Sequence, residues 1–85
     1  MKYRLVYTQR AIKDIQGLET NIKKRIGKTL KRYEGDPLNF AEKLTNLRLG
    51  KYRFRMGDFR AIFDIEGEEI VILRGGHRKD IYRKL

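Results

Sequence analysis

The sequence predicts an α+β fold of the order βααβββ, in which a helical hairpin packs on one face of a mainly antiparallel, twisted sheet. Apolar residues recur every three or four positions between residues 12 and 33, as they do in amphipathic helices. Between residues 47 and 74 apolar and polar residues instead alternate in segments separated by glycine-containing turns, which is typical of strands. With 85 residues the chain has room for one domain, which we expect to span residues 1–85.

The N-terminal part is predicted to contain one strand and two helices. The strand runs from Tyr3 to Tyr7, and Thr8 is a suitable N-cap for the first helix. Gly17 marks the break between the helices. The second helix ends at Gly35-Asp36-Pro37, because proline lacks a backbone donor and restricts the residue before it. The apolar positions on the helices are Ile12, Ile15, Leu18, Ile22, Ile26, Leu30 and Tyr33.

The C-terminal part is predicted to contain a loop and three strands. The loop covers Leu38 to Asn46. The strands run from Leu47 to Met56, from Phe59 to Ile65 and from Glu69 to Arg74. Gly75-Gly76 then releases a basic tail, since two consecutive glycines favour irregular backbone.

The Gly57-Asp58 turn determines how its two flanking strands pair. Counting outward from the turn pairs Met56 with Phe59, Arg55 with Arg60, Phe54 with Ala61 and Arg53 with Ile62. The aromatic side chains then share one face, which we interpret as core, and the three arginines share the other. Like charges directly opposite each other destabilise a sheet, so the arginines are expected to meet an anion, and planar guanidinium groups suit phosphate oxygens. The alternative is a solvated surface without a ligand.

Composition limits the classes of partner. Lysine and arginine total 21 against 11 aspartate and glutamate, a formal net charge of +10, which attracts nucleic acid, an anionic membrane or an acidic protein. The chain has no cysteine and one histidine, so disulfides are excluded, a zinc site is not expected, and no cofactor is predicted. No apolar run approaches the ~20 residues of a membrane span, and we expect a cytoplasmic protein without a membrane partner.

Two motifs carry a resemblance to a known family. They are Tyr52-Arg53-Phe54-Arg55-Met56-Gly57-Asp58-Phe59-Arg60-Ala61-Ile62-Phe63 and Gly76-His77-Arg78-Lys79-Asp80-Ile81-Tyr82. In this order, after a strand and a helical hairpin, they resemble the RelE/ParE superfamily of toxin-antitoxin toxins over nearly the whole chain. The resemblance implies a small fold like that of the microbial ribonucleases. RelE members cleave messenger RNA in the ribosomal A site, whereas ParE members share the fold but poison DNA gyrase, so membership does not decide the activity.

The resemblance also implies site residues. For RNA cleavage by attack of the ribose 2′-hydroxyl, Arg55 and Arg60 suit stabilisation of the phosphorane, and Arg78 suits the phosphorane or the leaving oxygen. Tyr82 stacks on a base, transfers a proton, or packs on the sheet edge. The catalytic candidates are therefore Arg55, Arg60, Arg78 and Tyr82, and the candidates for RNA phosphate contacts are Lys51, Arg53, Arg55, His77 and Lys79.

Three features bear on proton transfer. In the best-known RelE toxins lysines match Arg53 and Arg55, and arginine cannot act as a general base because it stays protonated. His77 is either a general acid or a turn residue, and we favour the turn residue. A glutamate–histidine pair is not evident in the sequence, which fits dependence on the ribosome to position the RNA.

The sequence thus predicts a toxin of a type II toxin-antitoxin system that acts as a ribosome-dependent endoribonuclease. Its expected partners are a cognate acidic antitoxin, with which it forms a heteromeric complex, and the ribosome with bound mRNA; the toxin alone is expected to be monomeric. The antitoxin would act by its bulk or by displacing the tail that holds Tyr82. The alternatives are a ParE-like protein that binds gyrase without chemistry and a degenerate relative that only binds RNA or antitoxin.

Overall fold

The computed structural model describes residues 2–45 and 50–81. The predicted order βααβββ is present, with short additional elements before the central hairpin and after the last strand. In chain order the elements are β1 (Arg4–Tyr7), α1 (Gln9–Gln16), α2 (Thr20–Glu34), α3 (Pro37–Phe40), β2 (Ala41–Lys43), β3 (Tyr52–Met56), β4 (Phe59–Glu66), β5 (Glu69–His77) and α4 (Arg78–Ile81).

The helices begin and end where the local sequence requires. The Thr8 hydroxyl accepts a hydrogen bond from the Ala11 amide at 3.2 Å, which confirms Thr8 as the N-cap of α1. Gly17 caps the C-terminus of α1 and Gly35 that of α2, as predicted. Pro37 occupies the first turn of α3, where its missing amide proton is not needed.

Within the described residues the sheet has five strands in the order β1-β5-β4-β3-β2. The β1–β5 pair is parallel and the other pairs are antiparallel, so the sheet is mixed and mainly antiparallel. Every predicted pair of the β3–β4 hairpin is confirmed. Gly57 has φ +63° and Asp58 has a negative φ, which is the pattern of a type II′ turn.

The predicted loop over Leu38 to Asn46 is wrong, because residues 37–40 form α3 and residues 41–43 form β2. Three residues are too few to show alternation, and β2 is ordered by its pairing with β3. The predicted strand start at Leu47 falls in residues 46–49, which lie outside the described residues, and β3 itself begins at Tyr52.

The prediction that Gly75-Gly76 releases a tail is also wrong. Both glycines belong to β5, where Gly75 pairs with Ala61 and Gly76 with Arg60. An Asp14 carboxylate oxygen on α1 accepts hydrogen bonds from the Gly75 amide at 3.1 Å and from Arg74 Nε at 2.7 Å. Pairing on one side and this carboxylate on the other hold the segment extended.

The hydrophobic core lies between α1, α2 and one face of the sheet. Phe54 and Phe63 stack at 4.1 Å between ring centroids, and Tyr33 lies 5.0 Å from Phe54. The interpretation of the hairpin aromatics as core is therefore confirmed. The buried cluster consists of Ala11, Ile26, Leu30, Tyr33, Phe54, Phe59, Ala61, Phe63, Ile70 and Ile72.

The other face of the sheet is partly covered. Gly50 has φ +155°, and a Cβ atom there would lie 2.8 Å from Cγ2 of Ile62, so only glycine fits at this point. Ile62 is fully buried as a result. Glu42 of β2 and Arg55 of β3 are exposed on this face.

None of the helices in residues 2–45 and 50–81 is long and apolar enough to cross a membrane.

Candidate active site

Strand pairing brings one carboxylate and three arginines to the face of the sheet away from the helices. Glu42 lies opposite Arg53 in the β2–β3 ladder, and Arg55 lies opposite Arg60 in the β3–β4 ladder. Because alternate residues of a strand point to the same side, all four side chains leave the same face. We call the set Glu42, Arg53, Arg55 and Arg60 the arginine face.

Glu42 lies between two guanidinium groups. Arg53 Nε donates a hydrogen bond to Glu42 Oε1 at 3.2 Å, and Arg55 Nε lies 3.7 Å from the same oxygen. The Arg55 side chain is 57% exposed, so the pair remains accessible from solvent. A carboxylate held by two cations on an open face combines a proton acceptor with two phosphate ligands.

Sequence reasoning missed Glu42. The residue lies in the segment that was predicted to be a loop, and the connection from β2 to β3 has no two-residue turn signature. Only the pairing of Glu42 with Arg53 identifies it, and that pairing is not encoded in any local pattern.

The prediction that Arg60 is exposed to an anion is wrong. The residue is only 5% exposed, and its Nη1 donates to the backbone oxygens of Gly57 at 2.7 Å and Phe59 at 2.9 Å. In addition, the Cβ of Ile81 in α4 lies over Gly76, the β5 partner of Arg60.

Arg78 also contacts the Gly57-Asp58 turn. Its backbone amide donates to the Asp58 carbonyl at 2.8 Å, and its Nε lies 3.8 Å from Asp58 Oδ1. The Arg78 side chain is 54% exposed. The Gly57-Asp58 turn therefore holds Arg60 inside the protein and Arg78 at the surface.

The remaining predicted site residues lie apart from Glu42. His77 is the last residue of β5 and pairs with Phe59 on the helix side, so the prediction of a turn residue is wrong; its Nδ1 accepts a hydrogen bond from the Lys79 amide at 3.2 Å. Lys79 is exposed on α4, and Lys51 is exposed just before β3, at the end of the strand away from the turn. Tyr82 lies outside the described residues.

The structure also has a cleft that overlaps the arginine face at one residue only. It has a volume of about 580 Å³ and lies between α2 and the hairpin turn; of the arginine face only Arg55 borders it. Its basic lining residues are Arg25, Arg32, Arg55 and His77. Glu42 and Arg53 therefore lie on the sheet surface outside this cleft.

A sequence profile of the ParE toxin of the type II toxin-antitoxin system, parDE, matches residues 5–82. The chain belongs to the ParE toxin family. This places it in the RelE/ParE superfamily, as the two sequence motifs indicated. No curated protein matched the chain at a significant level.

The toxin is also similar to solved structures. The toxin-antitoxin complex RelBE2 from Mycobacterium tuberculosis contains a chain with 25% identity and a TM-score of 0.82, covering 92% of the toxin and 100% of that chain. The RelE-RelB complex from Pyrococcus horikoshii OT3 contains a chain with 26% identity and a TM-score of 0.73, covering 94% of the toxin and 99% of that chain. The RelB-RelE complex from Methanococcus jannaschii contains a chain with 26% identity and a TM-score of 0.71, covering 91% of the toxin and 94% of that chain. These matches confirm the predicted fold.

The described part of the toxin has no cluster of three or more His, Cys, Asp or Glu side chains that could hold a metal ion. The arginine face offers the Glu42 carboxylate, the exposed Arg55 and the partly exposed Arg53, groups that can accept a proton and stabilise negative charge on phosphate oxygens.

Proposed function

We propose that the toxin is a ribosome-dependent endoribonuclease that cleaves messenger RNA in the A site and thereby inhibits translation. The observation that carries the proposal is the position of Glu42 between Arg53 and Arg55 on an open sheet face. Cleavage by the ribose 2′-hydroxyl needs a proton acceptor and cations beside the reacting phosphate, and this arrangement supplies both.

The reaction follows from these groups. Glu42 accepts the proton of the 2′-hydroxyl, the O2′–P bond forms, the P–O5′ bond breaks, and the 5′-oxygen takes up a proton from solvent water. Arg55 stabilises the charge on the phosphorane. Because Glu42 accepts the proton, the absence of a lysine at the positions of Arg53 and Arg55 no longer matters for the chemistry.

The other residues have supporting roles. Arg78 is exposed beside the hairpin turn and stabilises the phosphorane or the leaving oxygen. Arg60 is a positioning residue, because it contacts the turn carbonyls and not solvent. Tyr82 keeps the role proposed from the sequence, either stacking on a base or transferring a proton. The proposed phosphate contacts outside the arginine face are Lys51, His77 and Lys79.

Dependence on the ribosome follows from the shape of the site. The arginine face is a strand surface that meets the cleft beside α2 only at Arg55, and His77 lies on the opposite side of the sheet from Glu42. A free RNA strand would therefore bind in many registers. RNA held in the decoding site would bind in one, which is how positioning accelerates a reaction.

The proposed regulator is a cognate acidic antitoxin. The similar toxins from M. tuberculosis, P. horikoshii and M. jannaschii were solved in complexes with antitoxins. A body with a formal net charge of +10 is complementary to an acidic, partly disordered partner that folds as it binds. We expect a monomeric free toxin and a heteromeric complex.

A purified translation system tests the nuclease proposal. Added toxin should cleave the message within the A-site codon, and cleavage should disappear when ribosomes are omitted. Message that stays intact under both conditions contradicts the proposal.

The second candidate is a ParE-like inhibitor of DNA gyrase. Two observations favour it: the ParE family profile matches residues 5–82, and burial of Arg60 removes one predicted phosphate ligand. A gyrase supercoiling assay with the same preparation separates the candidates. Inhibited supercoiling together with intact message would support the gyrase inhibitor.

A further inference from the structure

The cleft between α2 and the hairpin turn is separate from Glu42 and Arg53. Its volume of about 580 Å³ lies within the usual range for binding sites of small molecules, so it is large enough for one nucleotide. One wall is a single face of α2, because the residues that form it recur at helical spacing. These residues are Ile22, Arg25, Ile26, Thr29, Arg32 and Tyr33.

The charges in this cleft are unbalanced. Its lining contains Arg25, Arg32, Arg55 and His77 but only one carboxylate, that of Asp58. A cleft lined mainly by charges of one sign concentrates ions of the opposite sign. The cleft therefore favours an anionic ligand.

Arg25 and Arg32 are not neutralised by the toxin itself. In the described part of the chain, neither guanidinium group forms an ion pair or a hydrogen bond. Arg32 lies over the Tyr33 ring, 5.4 Å from its centroid, and this contact leaves the N–H donors available. The Asp58 carboxylate, in contrast, lies 3.8 Å from Arg78 Nε. Both arginines can therefore donate to an anion without breaking an ion pair.

His77 adds a further hydrogen-bond donor to the cleft. Its Nδ1 accepts from the Lys79 amide at 3.2 Å, so the neutral imidazole carries its proton on Nε2. Nε2 can thus donate to a phosphate or carbonyl oxygen of a ligand whether the ring is neutral or charged.

The cleft also has apolar surface, which suits a nucleotide base. The Ile22 side chain on α2 is 37% exposed, and Met56 on β3 is partly exposed. A nucleotide combines a phosphate, which guanidinium groups bind, with a flat base that packs on apolar surface. A run of acidic side chains would satisfy the arginines but leave this apolar surface in water.

Arg55 connects the cleft with the arginine face. Its Nε lies 3.7 Å from Glu42 Oε1, and the same side chain borders the cleft. An RNA strand whose reacting phosphate lies beside Glu42 and Arg55 therefore reaches the cleft with a neighbouring nucleotide.

We propose that the cleft between α2 and the hairpin turn binds the RNA nucleotide next to the reacting phosphate, with Arg25 and Arg32 contacting phosphate oxygens and Ile22 contacting the base. The inference rests on the proposed nuclease function and adds a substrate contact outside the arginine face. Any nucleotide of a free strand can enter the cleft, so the ribosome is still needed to select the register.

An RNA that cannot be cleaved tests the site without ribosomes. The probe is a fluorescein-labelled trinucleotide with methylated 2′-hydroxyl groups, and its binding to the full-length toxin is measured by fluorescence anisotropy at constant salt. Arg25→Ala and Arg32→Ala should each lower the affinity about fivefold or more. Arg10→Ala is the matched control, because it removes an exposed arginine of α1 outside the cleft, and it should change the affinity less than about twofold. Circular dichroism checks that each variant is folded.

A second pair of variants tests the contact with the base. Ile22→Ala should lower the affinity for the trinucleotide about threefold or more, but it should not change the affinity for an abasic trimer with the same phosphates. Ile12→Ala is the control, since Ile12 is an exposed isoleucine of α1 outside this cleft, and it should leave both affinities unchanged.

Three results would overturn the inference. If the toxin cleaves message on ribosomes but the Arg25, Arg32 and Arg10 variants bind the trinucleotide equally, the cleft site is wrong and the nuclease function stands. If message stays intact and the trinucleotide does not bind, both are wrong. If hexaglutamate displaces the trinucleotide as well as unlabelled trinucleotide does, the cleft recognises negative charge alone and the assignment to a nucleotide is wrong.

Discussion

Glu42 and Arg53 lie opposite each other in the β2–β3 ladder, and Arg53 Nε donates to Glu42 Oε1 at 3.2 Å. In the proposed mechanism a phosphate binds beside Arg53 and Arg55, which is where this carboxylate lies in the free toxin. A bound phosphate would therefore compete with Glu42 for the guanidinium groups. Release from them leaves the carboxylate oxygen available to accept a proton.

Glu42→Gln tests this role directly. The amide still accepts a hydrogen bond from Arg53 but no longer takes a proton, so the rate of mRNA cleavage on ribosomes should fall by about 10²–10⁴-fold. Glu68→Gln, at the exposed turn between β4 and β5, is the matched control and should cleave at the wild-type rate. Wild-type activity of Glu42→Gln would exclude Glu42 as the base.

Arg78→Ala should lower the single-turnover cleavage rate by about 10²–10³-fold, because one cation near the phosphate is lost. Affinity for the ribosome should change much less, since many lysines remain. Lys28→Ala, on the exposed side of α2, removes the same charge away from the site and should have little effect. Equal cleavage rates for the two variants would show that Arg78 contributes to the surface charge and not to the reaction.

Arg60→Ala should reduce the free energy of unfolding by about 1–3 kcal/mol, because the buried guanidinium is bonded to two turn carbonyls. Arg55→Ala, at an exposed position, should change it by less than about 0.5 kcal/mol. Urea unfolding monitored by circular dichroism measures both. A fully stable Arg60→Ala variant with lost activity would contradict the positioning role and restore the catalytic one.

Asp14→Ala should destabilise the toxin by about 2 kcal/mol or more, because the carboxylate holds both Arg74 and the Gly75 amide at a largely buried site. Arg4→Ala removes an exposed ion pair with Glu69, and we expect a change close to zero. The comparison is made by thermal unfolding. Similar melting temperatures for the two variants would refute the anchoring role of Asp14.

Tyr7 makes the free energy of unfolding depend on pH in the alkaline range. Burial and, secondarily, the Glu34 carboxylate raise the pKa of the Tyr7 hydroxyl above its usual value of 10.0. Above pH 10 the unfolded chain loses this proton more readily than the folded chain, so the free energy of unfolding decreases as the pH rises. Tyr7→Phe removes this contribution, and its urea midpoint should fall less steeply above pH 10. Identical slopes for wild type and variant would show that the environment of Tyr7 does not control this decline.

Local patterns predicted much of the fold because the forces involved act over a few residues. Thr8 caps α1 through the amide three positions later, and Gly57 supplies the positive φ that a two-residue turn requires. Once that turn is in place, counting residues gives the register of β3 and β4. The family motifs depend on the same short segments, which is why the superfamily could be recognised from them.

Contacts between distant residues escaped prediction. Gly75 and Gly76 have the composition of a flexible junction, but their pairing with β4 and the Asp14 carboxylate makes them part of a strand. Burial of Arg60 depends on α4 and on turn carbonyls whose orientation no residue pattern specifies.

The sequence by itself determined the superfamily, both ends of α1, the end of α2 and the alternation that directs the hairpin arginines and aromatics to opposite faces. Only the tertiary structure decided which arginines reach solvent and which carboxylate joins them. The physical reason is that alternation sets the direction of a side chain, whereas exposure and pairing depend on what the rest of the chain brings to that face. Arg55 and Arg60 are opposite each other in one ladder, yet Arg55 meets Glu42 at the surface and Arg60 folds back into the turn.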